Sequence, residues 1–463
     1  MARLFFCLLA PPPWGGIILR EINRLLDGGA MRFSGKVIVL ITGLAGPAGW
    51  TNADPWPAWR GPTGQGHSAE TGLPVKWGPA ENLRWKVPLA HPGNSTPVIW
   101  GDRVYLTEAN KGGTVRGLIC LHREDGRVLW KREITFAKKE RNWNENWYCN
   151  ASPATDGERV FVSHGSAGLF CYDTAGNEIW RRTDLGHWEH PFGSGASPVL
   201  HEGTVILWCG PHEAPVSGSE AGKANSLMGM DKKTGKTVWE HAESFGSWCT
   251  PLIAKVDGRD QLVLGQSRDA KGAALEKTGF LKGFDPRTGR ELWQCRGLDS
   301  YVYASPLVAG GIAVGMSGYG GSALAVRLGG AGDISGDRLW LHPKNPQRVG
   351  SGVVAEGHLY MVDESGPPRC FELSSGEEKW KAERPTKAVT WGSMVHADGK
   401  LMVLMRDGET LVLSAKPTFE ILARNKLGAG EETNSSIAIS DGAIYVRTFR
   451  NLWCFGAPVR AQR

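Results

Sequence analysis

Aromatic and amide side chains recur in this 463-residue chain just before a series of short apolar segments. Flat aromatic rings offer apolar area and amides offer hydrogen bonds, a combination that suits a small sugar-like ligand or a loop of a partner protein. Because function usually resides in loops, we predict a binding site here. The predicted residues are Trp143, Trp147, Tyr148, Asn150, Trp188, His190, Trp248, Tyr301, Tyr303, Trp391 and Asn434. The alternative is that the rings only fill the space between the elements that carry them.

Two patterns could bind a metal ion. The segment His187-Trp188-Glu189-His190 has two histidines at a spacing compatible with zinc, but a third ligand is missing nearby in sequence, so we interpret it as a polar loop. A hard cation such as calcium needs several oxygen ligands together. The candidates for such a site are Asn146, Asn150, Glu431, Glu432 and Asn434. This set is sparse, and we predict no metal site.

Serine and threonine hydroxyls, which could act as nucleophiles, recur at the start of eight short apolar segments. The eight positions are Ser95-Thr96-Pro97, Ser152-Pro153, Ser197-Pro198, Thr250-Pro251, Ser305-Pro306, Ser351-Gly352, Ser393-Met394 and Ser435-Ser436. This repetition indicates a structural role, in which the hydroxyls satisfy backbone groups where strands begin. We therefore predict no catalytic residue among them.

The elements that must position these side chains are β-hairpins. In Leu227–Trp239, apolar alternation predicts a strand, Asp231–Gly235 a tight turn, and the segment ending at Trp239 a returning strand. The same pattern recurs at Leu118–Trp130, Leu169–Trp180, Leu281–Trp293, Leu324–Trp340 and Arg369–Trp380, and in degraded form at Leu411–Leu422. The segments Asn82–Val87 and Asn451–Phe455, from opposite ends of the chain, supply the two strands of an eighth hairpin.

Four strands per unit at a period of about 40 to 50 residues predict an all-β fold, an eight-bladed β-propeller of four-stranded antiparallel blades. Pairing of the N- and C-terminal strands closes the ring. The loops between blades must then cross one face, which would gather the predicted binding residues around one mouth of the channel. The domain prediction is 1–53 upstream extension and secretory signal, 54–81 lead-in segment, 82–456 propeller and 457–463 tail.

The first fifty residues resemble a targeting segment. Arg32 and Lys36 precede the apolar run Val37–Ala45, and small residues ending at Ala53 follow, which is the layout of a secretory signal that starts at Met31. The alternative is a single anchoring helix near Val37–Trp50, although glycine and proline interrupt that run. We expect an exported, periplasmic protein that is not integral to the membrane after cleavage.

Charge and cysteine content limit the possible partners. The formal net charge is +6, and the basic residues are dispersed, so nucleic acid is not an expected partner. Four cysteines, at positions 120, 171, 370 and 454, fall in equivalent predicted strands of different blades, too far apart to bridge. We predict buried free thiols and a monomer.

The Asp-x-x-Thr-Gly-x-x-x-Trp hairpins resemble the tryptophan-docking repeats of the pyrroloquinoline quinone propeller superfamily. In that family the tryptophan ring packs on the turn of a neighbouring blade. The matching positions are Trp85, Trp130, Trp180, Trp239, Trp293, Trp340 and Trp380, whereas Leu422 does not match. The segments Trp56–Pro62 and Glu81–Lys86 further resemble exported propeller proteins of planctomycete-like bacteria.

The resemblance implies one of two functions. The superfamily includes quinone-dependent dehydrogenases, which clamp the quinone between a tryptophan and a disulfide of adjacent cysteines, and non-catalytic relatives such as the lipoprotein subunit of the outer-membrane β-barrel assembly machinery. This chain has no adjacent cysteines, so we predict a non-catalytic binding or scaffold module without a cofactor. The alternative is a quinoprotein-type dehydrogenase with an altered clamp, in which Trp248 or Trp391 would stack the quinone beside calcium.

Overall fold

The computed structural model describes residues 54–138, 140, 146–188, 193–213, 223–243, 246–267, 279–299, 301–344, 349–362, 366–383 and 388–457. The predicted signal segment, Trp143 and His190 lie outside these residues. Helix in the described part is limited to two single turns of 3-10 helix, Gly165–Ala167 and Ser335–Asp337. No described helix is long and apolar enough to span a membrane.

The fold is an eight-bladed β-propeller, as predicted, with strands numbered β1 to β34 in chain order. Blades 1 to 4 comprise β3–β6 (Val98–Trp100, Arg103–Ala109, Val115–His122, Val128–Thr135), β7–β10 (Ala154–Thr155, Arg159–Ser163, Leu169–Asp173, Glu178–Arg182), β11–β14 (Val199–His201, Thr204–Glu213, Lys223–Asp231, Thr237–Glu243) and β15–β18 (Leu252–Val256, Arg259–Gln266, Gly279–Phe284, Glu291–Leu298). Blades 5 to 7 comprise β19–β21 with β23 (Leu307–Ala309, Ile312–Met316, Ala323–Arg327, Arg338–His342), β24–β27 (Val353–Ala355, His358–Val362, Pro368–Glu372, Glu378–Lys381) and β28–β31 (Val395–Ala397, Lys400–Leu404, Glu409–Ser414, Ile421–Lys426).

Blade 8 is built from both ends of the propeller. Strands β32–β34 (Ala438–Ser440, Ala443–Arg447, Asn451–Gly456) are joined by β2 (Leu83–Pro88), which pairs antiparallel with β34. The register places Leu83 opposite Phe455 and Val87 opposite Leu452. The predicted closure is confirmed, and it leaves no blade with three strands.

Two short strands supplement the blades. Strand β22 (Gly332–Asp333) lies parallel to the outer strand of blade 4, and β1 (His67–Ser68) lies parallel to the first strand of blade 7. Because β1 precedes the propeller in sequence, part of the lead-in segment is bound against a first strand, beside the central channel.

The hydroxyls at the start of the first strands link every blade to the next. The backbone N–H of residues 96, 152, 197, 305, 351 and 393 donates to the hydroxyl of the following blade, at residues 152, 197, 250, 351, 393 and 436, over 2.8 to 2.9 Å. The other two junctions use the reverse polarity: Ser305 Oγ donates to Thr250 O (2.6 Å) and Ser435 Oγ to Ser95 O (3.0 Å). We call this closed circle of hydrogen bonds the hydroxyl girdle.

Tryptophan rings link the blades again, near the rim. A methyl group placed on Gly126, in the turn of blade 1, would lie 2.7 Å from the ring of Trp85 in blade 8, whose Nε1 donates to Arg123 O (2.8 Å). The same contact between an outer-strand indole and the next turn occurs for Trp130, Trp180, Trp239 and Trp340, against Gly176, Gly235, Gly289 and Gly376. A side chain on those glycines would displace the indole.

In three blades the outer strand does not make this contact between an indole and a glycine. In each case the next blade presents a different turn or none. Trp293 bonds Gln261 of its own blade (2.7 Å), because blade 5 has the widened turn 328–337. Trp380 reaches Lys416 O (3.1 Å) on a turn without glycine and packs on Phe419. In blade 7 the strand register places Ala423, opposite Val412, at the position that the tryptophan occupies in other blades. The repeat pattern indicated Leu422, one residue earlier.

Blade 7 lacks the tryptophan for a structural reason. The indole would pack on the turn between the third and outer strands of blade 8, but those strands come from opposite ends of the chain and share no turn. The lead-in segment covers this junction: Trp77 is buried in the same core cluster as Ala423, and its backbone N–H donates to Asn425 Oδ1 (3.1 Å).

The described cysteines are all free and buried, which confirms the prediction. Burial raises the pKa of Cys120 and of Cys171 to about 12, and of Cys149 and of Cys249 to about 11. These thiols are therefore protonated at neutral pH and act as small core residues.

Residues 54–70, which we call the strap, run across the face that carries the turns between first and second strands. We call this the lower face, and the opposite opening the upper mouth. Backbone bonds join Trp56 and Ile99 in both directions (2.9 Å each), Thr155 N–H to Pro57 O (2.8 Å) and His396 N–H to Gly66 O (2.7 Å). The strap thus contacts the first strands of blades on both sides of the channel.

Replacing Trp239 with alanine should cost about 3 to 5 kcal/mol in the free energy of unfolding, the range for a large buried aromatic residue. The loss arises because the indole is 7% exposed and fills the space above Gly289. Urea unfolding would measure it, with Val238→Ala as the matched control, since Val238 is the adjacent residue and is 56% exposed. Equal effects of the two changes would contradict the assigned role of Trp239.

The strap should weaken in acid. Burial, with His396 and Arg60 close by, lowers the pKa of His67 from 6.5 to about 4, and its Nδ1 lies 3.2 Å from Nδ1 of His396. The folded protein therefore favours the neutral ring, so this contribution is complete above pH 6.5 and is lost as the pH falls toward 4. We expect His67→Gln to flatten the fall in melting temperature over this range, and an equally steep fall in the variant and the parent would contradict the assignment.

Candidate functional site

The upper mouth contains a cavity of about 200 Å³ on the propeller axis. Its wall includes girdle residues, residues of the loops between blades, and one strap residue at its inner end. The lining residues are Trp59, Asn94, Asn146, Asn150, Gly195, Trp248, Thr250, Tyr303, Tyr319, Val349, Trp391, Ser393, Asn434 and Ser436. Five predicted binding residues are among them: Asn150, Trp248, Tyr303, Trp391 and Asn434.

One wall of this axial cavity is aromatic. The ring centroid of Tyr303 lies 5.4 Å from that of Trp248 and 5.8 Å from that of Tyr319. Tyr301 supports the group from behind, at 6.1 Å from Trp248 and 5.4 Å from Tyr319, and does not line the cavity. Trp248 Nε1 donates to Gly193 O (3.0 Å), which fixes the plane of the indole. These spacings are typical of aromatic packing and make the wall rigid.

The opposite part of the wall presents amides. Asn94 Nδ2 donates to Asn150 Oδ1 (2.8 Å), and Asn150 Nδ2 donates to Ser194 O (3.2 Å), so the two amides are oriented by each other and by the backbone of the next blade. Asn146 and Asn434 complete the polar edge. Amides that are already oriented can exchange hydrogen bonds with ligand hydroxyls at small entropic cost.

A second indole, that of Trp391, enters the cavity from blade 7. The guanidinium carbon of Arg406 lies 4.2 Å from its ring centroid, a cation–π contact that holds the ring from one side. Ser393, two residues later, belongs to the hydroxyl girdle. The position of this ring is therefore set by the same strand that closes the girdle at blade 7.

Three predicted binding residues lie elsewhere. Trp188 is 6% exposed and packs on Gly210 in a core cluster shared with residues of blades 3 and 4, and its backbone N–H donates to Ser166 Oγ (2.9 Å). Trp147 packs against Phe449, with ring centroids 5.7 Å apart. Tyr148 covers Gly113. Each is on a loop near the mouth, but its ring packs on other residues and does not line the axial cavity.

Tyr148 also contacts a buried ion pair beside the cavity. Arg116 lies between the rings of Phe136 and Tyr148, at 4.6 and 5.2 Å, and its Nη2 donates to Glu140 Oε2. Ser166 donates to the other carboxylate oxygen through Oγ. The pair is buried and hydrogen-bonded on both partners, and Tyr148, which packs on it, is two residues from Asn150.

Several lining residues were not predicted. Asn94 and the girdle residues Thr250, Ser393 and Ser436 stand next to or within the repeated hydroxyl motif, which pointed to structure and not to a binding surface. Tyr319 comes from a loop between a second and a third strand, a different loop class. Trp59 belongs to the strap, and the sequence carries no signal that this segment crosses the channel.

The candidate oxygen ligands do not form a cation site in the described part of the chain. Glu431 faces blade 8, where it accepts bonds from Thr448 Oγ1 (2.7 Å), Asn451 Nδ2 (2.8 Å) and Lys86 Nζ (3.1 Å). Burial acts to raise the pKa of Glu431, but these hydrogen bonds outweigh it and lower the pKa. No carboxylate and no thiol is among the described residues that line the axial cavity.

One group in the described residues has three metal-ligating side chains close together, His241, Glu243 and Glu291. Lys282 Nζ lies 2.6 Å from Glu243 and 3.0 Å from Glu291. The ammonium already bridges the two carboxylates, so the group is an ion-pair cluster of blades 3 and 4 and lies apart from the axial cavity.

Comparison with known proteins supports a family assignment. A family model described as "Outer membrane protein assembly factor BamB" matches residues 116–382, more than half of the chain. A stretch of 69 residues is 39% identical to the quinoprotein alcohol dehydrogenase PedE of Pseudomonas putida and 38% identical to a quinoprotein ethanol dehydrogenase of the same species. That stretch covers 15% of this chain and only 9% of each dehydrogenase.

Solved structures share the fold at low identity. BamB from Moraxella catarrhalis superposes with a TM-score of 0.53 at 15% identity, over 82% of this chain and 97% of that one. A europium-containing methanol dehydrogenase superposes with a TM-score of 0.63 at 11% identity, over 87% and 98% of the respective chains. An assembly factor and an enzyme of this architecture are thus both structural neighbours.

Proposed function

The chain belongs to the family of the outer membrane protein assembly factor BamB, and on that premise we propose that it is an exported, non-catalytic binding propeller. Its ligand is a small, neutral, ring-shaped molecule of the saccharide type, held in the axial cavity. The observation that carries this proposal is the pairing of indole and phenol rings with oriented amides around one closed space.

The chemistry of the wall supports a saccharide. Sugar rings present apolar C–H faces and a rim of hydroxyls, which require both flat aromatic surfaces and hydrogen-bonding partners at the edge. Trp248, Tyr303 and Trp391 provide the surfaces, and Asn150 and Asn434 provide the edge. None of the described lining residues carries a charge, so a neutral ligand fits better than an ionic one.

The volume of the cavity further limits the size of the ligand. Sites for drug-sized ligands occupy about 300 to 1,000 Å³, whereas this cavity has about 200 Å³. A single ring with its substituents is the matching size. The amides come from blades 1, 2 and 8 and the indoles from blades 4 and 7, so such a ring would touch blades on every side of the axis.

The lining also supports binding without chemistry. Catalysis needs a nucleophile, acid or base whose proton can move. The hydroxyls of Thr250, Ser393 and Ser436 each accept a hydrogen bond from a backbone N–H of the preceding blade. These hydroxyl oxygens are therefore already engaged in the girdle. The titratable groups among the described lining residues are the two tyrosine hydroxyls of Tyr303 and Tyr319.

Calorimetric titration with glucose, galactose and N-acetylglucosamine tests the proposal. We expect saturable binding of at least one of them, and Trp391→Ala should weaken it by about tenfold, since one stacking surface is lost. Trp100→Ala is the matched control, because Trp100 is a partly exposed indole at the end of a first strand, outside the cavity. Absence of binding to all three sugars, or equal weakening by both variants, would overturn the proposal.

The second candidate function is a quinoprotein-type dehydrogenase. It is favoured by the 69-residue similarity to two quinoprotein dehydrogenases and by Arg406 beside Trp391, where a carboxylate of the quinone could be paired. The described lining fits this cofactor poorly, because it offers no carboxylate for the accompanying cation and no thiol for a clamp.

Reconstitution separates the two functions. Purified protein incubated with pyrroloquinoline quinone and calcium, then desalted, should retain no quinone absorbance if the cavity is a neutral saccharide site. Retention of one equivalent, lost in Trp391→Ala and kept in Trp100→Ala, would instead favour the dehydrogenase function.

A further inference from the structure

The strap holds one tryptophan, Trp59, across the channel. On one side of it Trp56 pairs with Ile99 of blade 1 through two backbone bonds, and on the other side Gly66 O accepts from His396 N–H of blade 7. Gln65 Oε1 further accepts from Val308 N–H of blade 5 (2.7 Å). The segment that carries Trp59 is thus fixed at both ends to first strands that line the channel.

The turn at Trp59 is itself rigid. Gly61 N–H donates to Ala58 O (3.0 Å), and Arg60 and Gly61 both adopt positive φ, 64° and 76°. The guanidinium of Arg60 is buried, donates to Gln65 O and Gly352 O, and lies 5.7 Å from the Trp59 ring centroid. Because Arg60 is anchored in the channel wall, the indole beside it has a defined position.

Trp59 separates two cavities. Above it lies the axial cavity of about 200 Å³, and on the strap side lies a second cavity of about 520 Å³. Trp59 and Thr250 line both. Thr250 belongs to the girdle and is fixed in the wall, so the indole is the side chain that divides the space. The strap-side cavity is largely apolar and includes Leu252, Ile253 and Val308.

We infer that Trp59 is the residue that determines the length of the ligand. It closes the inner end of the axial cavity, so that a ligand of one ring fits and a ligand of two linked rings meets the indole. Without the indole, the two cavities join into one channel, and a second ring can pass below the level of Thr250. This inference rests on the proposed function, since it assigns the specificity of the same site.

The test compares Trp59→Ala, Trp59→Phe and the parent protein by calorimetric titration. The ligands are glucose, galactose and N-acetylglucosamine, together with the matching two-ring sugars maltose, lactose and chitobiose. We expect the parent to prefer a one-ring sugar, and Trp59→Ala to bind the corresponding two-ring sugar at least about tenfold more tightly than the parent does. Trp59→Phe, which keeps a ring at this position, should restore the preference for one ring.

The outcomes separate this inference from the proposed function. If the parent binds a one-ring sugar and Trp59→Ala retains the same preference and affinities, the role of Trp59 is wrong and the saccharide site stands. If only Trp59→Ala binds sugars, the closure by Trp59 is supported and the proposed function of the parent is wrong. If neither binds any sugar, both are wrong. Melting temperatures of the three proteins establish that each variant is folded, and Trp59→Phe reports on the ring independently of any loss of strap stability in Trp59→Ala.

Discussion

The structure depends on the hydroxyl girdle, because this interaction recurs at all eight junctions between blades. A blade on its own exposes both faces of its sheet, and its first strand has an unpaired edge toward the channel. In blades 1 to 7 the girdle satisfies a backbone group at the start of the first strand with the hydroxyl of a neighbour. A net contribution of about 1 kcal/mol for each hydrogen bond is modest, but the circle also fixes the position of the loop residues that precede each hydroxyl. Trp391, two residues before Ser393, is placed in this way.

The architecture was accessible from sequence because it is repeated. A hairpin that recurs with the same turn and the same terminal tryptophan predicts blades, and the unpaired strands at Leu83 and Leu452 predict their own pairing. Where a blade departs from the repeat, the sequence shows only that an expected residue is missing. That Ala423, and not Leu422, occupies the position of the missing tryptophan depends on a one-residue shift in strand register, which no local signal reports.

The lining of the axial cavity was predicted in part, for a comparable reason. Repeats indicate which loops reach the mouth, and Trp248, Tyr303 and Trp391 on those loops do line the cavity. They do not indicate the direction of each side chain: Trp188 lies on an equivalent loop, but the glycine at position 210 leaves space for its ring between blades. The position of Trp59 in the cavity wall depends on the path of the strap. The strap contacts residues some 300 positions away in sequence, such as Gly352, and such long-range contacts leave no local pattern in the sequence.

Closure of blade 8 by strands from opposite ends also has a consequence for biosynthesis. Strand β2 is synthesised early but has no partner until β34 has been made, about 370 residues later. During that interval the nascent chain carries an incomplete ring with two open sheet edges, the kind of surface that pairs with other chains. The final pairing is among the most non-local contacts that the protein forms, and non-local closure is slow. The two edges therefore stay open until β34 has paired with β2 and completed blade 8.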